Sequence, residues 1–72
     1  MSKKDLIELF NAKGQRNVYL VPLLSMRGFF KDELMTICGI DDANDSIIVF
    51  RHISNSEIQI LFDDLKEFKV VS

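Results

Sequence analysis

The sequence predicts a small, mainly β domain, namely a β-barrel of about five strands with an α-helix at its N-terminus. Its 72 residues, 47% of them apolar, suffice for one domain. Apolar residues recur at helical spacing only near the N-terminus, and from about residue 17 onward short β-branched and aromatic runs alternate with polar turns. We expect the strands to curl into a closed or nearly closed barrel, because closure removes exposed sheet edges.

The helix is predicted over about residues 3–13. Ser2 is followed three residues later by Asp5, which is the spacing of an N-cap and an acidic residue in the first turn. Gly14 follows the last residue of the pattern and is typical of a helix C-terminus. The apolar face that we expect to pack on the core consists of Leu6, Leu9 and Phe10.

The remaining elements are short strands separated by polar turns. Strands are predicted at 18–21, 34–40, 47–50, 57–62 and 68–71, with a further extended stretch at 26–30. Turns are predicted at 41–46 and 54–56, and a single helical turn at 63–65. Pro22 removes a backbone donor, so the first strand bends there or lies at an edge.

Charge is divided unequally along the chain, although the net charge is only −2. Residues 1–31 carry six basic and two acidic residues, whereas residues 32–72 carry three basic and nine acidic residues. In a folded domain such a division can produce one basic and one acidic face. It therefore leaves open both an anionic partner and a basic one.

Several classes of protein are disfavoured by composition. The chain has no run of about 18 uncharged apolar residues, and an acidic residue follows the first lysines, so we expect no membrane span or signal peptide and a cytoplasmic location. Cys38 is the only cysteine and His52 the only histidine, which is too few for an internal disulfide or a clustered metal site. Nothing in the sequence supplies the orienting group that a Cys–His catalytic pair needs. We therefore expect a protein that is not an enzyme and needs no cofactor or metal.

Two stretches of the sequence carry a resemblance to a known family. The run Val18-Tyr19-Leu20-Val21 precedes the apolar-basic-glycine triplet Met26-Arg27-Gly28, and 24 residues after Gly28 the chain reaches His52 within Phe50-Arg51-His52-Ile53-Ser54. Together with the short N-terminal helix, these stretches resemble the Sm-like RNA chaperones of bacteria, the host-factor type. The last run is similar to the Tyr-Lys-His-Ala-Ile signature of that family, and the resemblance spans roughly residues 5–54.

The resemblance implies a site for single-stranded RNA. Phe50, Arg51 and His52 match the uridine-binding signature, and Tyr19 is the candidate for stacking on adenine. It also implies a homo-oligomeric ring in which the edge strands of neighbouring copies pair. The residue types suit this role, because an aromatic ring stacks on a base with about 1–3 kcal/mol while Arg and His contact phosphate, ribose or base edges. Further basic candidates for contacting RNA are Arg16, Arg27 and Lys31.

A second alignment competes for the same residues. The stretch 31–41, followed by strands at 47–53, 57–62 and 68–71, is similar to the generic order of SH3-like barrels, and it accounts for the C-terminal third of the chain. In this interpretation His52 is simply a strand residue. Because that architecture serves RNA-binding, ribosome-binding and protein-binding modules alike, it leaves the function unspecified. The alternative function is a protein-interaction or assembly module, for example an accessory protein of a mobile element, whose acidic C-terminal half binds a basic partner.

Overall fold

The computed structural model describes residues 2–14, 16–26 and 28–72. These residues form one helix, five strands and a 3₁₀ helix, which confirms the prediction of a mainly β fold with an N-terminal helix. In chain order the elements are α1 (Lys3–Lys13), β1 (Tyr19–Pro22), β2 (Met35–Asp41), β3 (Ser46–Arg51), β4 (Ser56–Leu61), η1 (Phe62–Glu67) and β5 (Phe68–Val71).

Helix α1 begins and ends as the sequence predicts. The Ser2 hydroxyl accepts a hydrogen bond from the Asp5 N–H at 3.2 Å, which satisfies one of the donors left open at a helix N-terminus. At the other end, Gly14 has φ +84° and donates its N–H to the Phe10 carbonyl at 2.8 Å. Leu6 is fully buried, so α1 is held on the domain by this apolar face.

The five strands form one antiparallel sheet with the order β4-β3-β2-β1-β5. β4 and β5 are its two edges, and no hydrogen-bonded ladder joins them among the described residues, so the expected closure into a barrel is not found. Element η1 nevertheless connects the two edges with six residues, which span only about 12 Å. A flat sheet would separate the outer strands by about 19 Å, so the sheet curves toward closure.

One face of the curved sheet, together with α1 and η1, encloses the hydrophobic core. Its buried members are Leu6, Val18, Leu20, Met35, Ile37, Ile47, Val49, Ile60, Phe62, Leu65 and Phe68. A bulge between Ile37 and Gly39 shifts the register of β2 against β3 at Cys38. Because side chains alternate along a strand, the intervening residues lie on the opposite face of the sheet, which helix α1 does not cover.

The described residues between β1 and β2 form a loop rather than the extended stretch predicted at 26–30, of which Arg27 lies outside the described residues. An isolated pairing of Met26 with Phe29 is the only bridge within it in the described residues, and the Asp32 N–H donates to the Pro22 carbonyl at 3.2 Å to close its base. Its exposed apolar side chains are Leu23, Leu24, Phe30 and Leu34.

Helix α1 is too short and too polar to cross a membrane, and no other described helix is long and apolar enough to do so.

Candidate functional site

The outer face of the sheet holds a row of residues that crosses four strands. Tyr19 on β1 pairs with Thr36 on β2, Thr36 pairs with Phe50 on β3, and Phe50 pairs with Glu57 on β4. All four side chains line a surface groove of about 630 Å³, which we call the cross-strand groove. The spacing between strands places its β1 end about 14 Å from its β4 end.

Strand alternation explains which residues reach this groove. On β3 the side chain of Val49 enters the core, so that of Phe50 lies on the other face and is half-buried in the groove wall. His52, just after the end of β3, also lines the groove. Phe50 and His52 are thereby brought next to each other, with ring centroids 4.9 Å apart and ring planes at 80°.

A hydrogen bond fixes the orientation of the exposed His52 ring. Its Nε2 lies 2.8 Å from the hydroxyl of Thr36, which is only 7% exposed. Because Nε2 is engaged, Nδ1 is the ring nitrogen left to contact a ligand. Thr36 therefore holds an aromatic, hydrogen-bonding ring at a set position beside Phe50.

Arg16 borders the β1 end of the groove, three residues before Tyr19. Its backbone has φ +67°, in the left-handed region, where residues other than Gly, Asn and Asp carry a conformational strain of roughly 1 kcal/mol. The side chain is exposed, and no other described residue gives its guanidinium a hydrogen bond or ion pair. A cationic group is thus available at this end of the groove.

Arg51, by contrast, lies on the opposite face of β3. Its Nε donates to Glu33 Oε1 at 2.7 Å, and its Nη2 donates to Glu33 Oε2 at 2.9 Å and to the Gly28 carbonyl at 3.0 Å. The guanidinium also lies 4.8 Å from the centroid of the Phe29 ring. These contacts join the loop between β1 and β2 to β3, so Arg51 does not line the groove with Phe50 and His52.

The two charges of this pair stabilise each other. Hydrogen bonds from Arg51 lower the pKa of Glu33 from its ordinary value, against the effect of burial, which raises it. Hydrogen bonding to Glu33 likewise raises the pKa of Arg51. The side chains are only 7% and 17% exposed, respectively, so the pair is partly withdrawn from water.

Lys31, another basic candidate, does not line the groove. Lys31 is exposed on the loop between β1 and β2, where its backbone N–H donates to the Ser25 hydroxyl at 3.0 Å. Arg27 lies outside the described residues. Of the contact residues predicted from sequence, the structure therefore brings four together at the groove: Arg16, Tyr19, Phe50 and His52.

Sequence reasoning missed two groups in the groove. The sequence predicts Thr36 only as part of a strand, because its contact with His52 depends on the pairing of β2 with β3. Glu57 belongs to a clean alternation in which Ile58 and Ile60 face the core, so this alternation could have marked it as an outward-facing carboxylate. The alternation does not predict that Glu57 pairs with Phe50, because that depends on the register of β3 against β4.

The groove has the chemistry to hold a planar ring next to an anionic group. Tyr19, Phe50 and His52 offer ring surfaces and Arg16 offers a positive charge. No three His, Cys, Asp or Glu side chains converge as metal ligands in the part of the chain that the structure describes. Comparisons with protein-family models, with curated proteins and with solved structures find no match.

Proposed function

We propose that this chain is a non-enzymatic, Sm-like RNA-binding protein of the cytoplasm that holds single-stranded RNA in the cross-strand groove. The observation that carries the proposal is the convergence of Tyr19, Phe50 and His52 on one groove with Arg16 at its end. Single-stranded nucleic acids are bound by this combination, since unstacked bases pack on aromatic rings while cations contact the backbone.

The size and the polarity of the groove suit a nucleotide. A volume of about 630 Å³ lies within the ordinary range of small-ligand sites. The Phe50 ring is half-buried in the wall, and His52 stands against it at a steep angle. A base can therefore stack on one ring while its edge meets the other.

Assembly into a homo-oligomer is the second part of the proposal. β4 and β5 each have only one neighbour in the sheet, so each presents unpaired backbone donors and acceptors. Both also expose apolar residues, since Leu61 is 52% and Val71 is 36% exposed. Pairing of β4 in one copy with β5 in the next would cover both edges, extend the curved sheets into a ring and repeat the groove around it.

A different class of function is favoured by the loop between β1 and β2. Leu23, Leu24, Phe30 and Leu34 lie in this one segment of the chain, and each is about half exposed or more. Clustered exposed apolar side chains are typical of surfaces that bind other proteins. The alternative proposal is therefore an SH3-like interaction or assembly module that uses this loop.

Fluorescence anisotropy with labelled U6 and A6 oligoribonucleotides tests the RNA proposal. We expect binding at low salt that weakens roughly five- to tenfold between about 50 and 200 mM salt, as two or so phosphate contacts would require. Phe50→Leu should weaken binding roughly fivefold or more, because it removes a stacking ring but keeps an apolar side chain. Phe30→Leu, which alters an exposed ring outside the groove, is the matched control.

The two proposals give different results. If no oligoribonucleotide binds at low salt, whether it contains uracil, adenine, cytosine or guanine, the RNA proposal fails. If Phe30→Leu weakens binding as much as Phe50→Leu does, the groove is not the site. The interaction-module proposal instead requires a specific protein whose capture is lost in a Leu24→Ser variant and retained in Phe50→Leu.

A further inference from the structure

Two opposite charges border the cross-strand groove without neutralising each other. Arg16 lies at the β1 end, and Glu57 lies at the β4 end, directly across from Phe50. Within the described ranges neither side chain makes a hydrogen bond or an ion pair, and the two do not approach each other within 4 Å. A ligand that fits this groove therefore needs an anionic part for one end and hydrogen-bond donors for the other.

Glu57 restricts which base can occupy the β4 end. An ionised carboxylate only accepts hydrogen bonds, so it favours a base edge with adjacent donors and opposes one with acceptors. Guanine presents N1–H and N2–H₂ side by side, and both can reach the two oxygens of one carboxylate. Uracil offers a single N–H between two carbonyl oxygens, and adenine offers only one amino group next to an acceptor nitrogen.

The length of the groove from β1 to β4 fits one nucleotide. The ends of the groove lie about 14 Å apart along the strand-to-strand direction, and the long Arg16 side chain covers part of that distance. A base that stacks on Phe50 with its Watson–Crick edge toward Glu57 would direct its phosphate toward Tyr19 and Arg16. His52, held by Thr36, stands beside the same base and can contact the ribose or a base edge through Nδ1.

We infer that the groove selects guanine: Glu57 accepts hydrogen bonds from N1–H and N2–H₂ of a guanine stacked on Phe50, while Arg16 binds the phosphate of the same nucleotide. This inference rests on the proposed function, because it assumes that the groove binds RNA. It adds the identity of the preferred base. It also assigns Glu57 as the residue that determines specificity.

The test compares four labelled heptaribonucleotides, UUUNUUU, that differ only in the central base. We expect the guanine-containing oligomer to bind roughly five- to tenfold more tightly than the one with uracil, the lower part of the range for a bidentate base contact. Glu57→Gln should bring this ratio to within about twofold. The ratio of the two affinities is measured rather than either affinity alone, because removing a negative charge can raise the affinity for every RNA.

Glu8→Gln is the matched control, because it removes the same charge from the exposed outer side of α1, away from the groove. It should leave the preference for guanine unchanged. Equal binding of all four oligomers, a preference for another base, or a guanine preference that persists in Glu57→Gln would each overturn the inference while the proposed function stands. Failure of all four to bind at low salt would instead reject the proposed function and the inference with it.

Discussion

The contacts of Arg51 separate a structural role from the RNA-binding role that its sequence neighbours imply. Arg51→Met keeps the length of the aliphatic stem but removes both hydrogen bonds to Glu33, the hydrogen bond to the Gly28 carbonyl and the charge near the Phe29 ring. Hydrogen bonds to charged groups contribute roughly 1.5–3 kcal/mol where they are protected from water, and less where solvent screens them. Because Glu33 is 7% and Arg51 17% exposed, we expect a loss of about 2 kcal/mol in the free energy of unfolding.

Urea unfolding followed by circular dichroism measures this loss. For a domain of this size the slope is about 1 kcal/mol/M, so the midpoint should fall by about 2 M. Lys66→Met, which removes an exposed positive charge from η1, should change the midpoint little. In conditions where Arg51→Met is folded, we expect its affinity for RNA to stay within about twofold of the original. A variant that unfolds like the original protein but binds RNA tenfold more weakly would refute this assignment.

Two other perturbations follow from the same geometry. The pKa of Glu33 is lowered below its ordinary value of 4.5, so its contribution to stability is complete above about pH 4.5 and is lost as the pH falls through the lower, folded-state pKa. Glu33→Gln should therefore reduce the loss of stability that the protein shows at acidic pH. If the free energy of unfolding falls with pH in the variant as it does in the original protein, the Glu33–Arg51 pair does not have this role. Arg16→Gly removes the side chain from a backbone with φ +67°, so it should raise the free energy of unfolding by roughly 0.5–1 kcal/mol while weakening RNA binding several-fold. A fall in both quantities would show instead that Arg16 supports the fold.

The parts of the fold that depend on local chemistry could be predicted well. Helix α1 spans Lys3–Lys13 as expected, because Ser2 and Gly14 act on the backbone within one turn of each end. β4 and η1 also lie close to their predicted positions, since alternation and the polar turns are short-range signals. Barrel closure depends on whether two strands far apart in the sequence pair, and here β4 and β5 do not.

The candidate site likewise divides into features that local sequence predicts and features that depend on how the strands pair. Tyr19, Phe50 and His52 line one groove, whereas Arg51, which the signature places beside Phe50 and His52, does not. In an extended strand adjacent side chains point to opposite faces, and Arg51 consequently meets Glu33. Consecutive residues of a signature that lies in a strand therefore cannot all line one groove, because only alternate side chains share a face.

The sequence by itself determined the helix and most of the strands, because these follow from the properties of neighbouring residues. Only the tertiary structure decided that Thr36 holds His52, that Glu57 faces Phe50, and that Arg51 belongs to the other side of the sheet. Those facts depend on strand register, which is set when the strands pair and pack in the folded sheet.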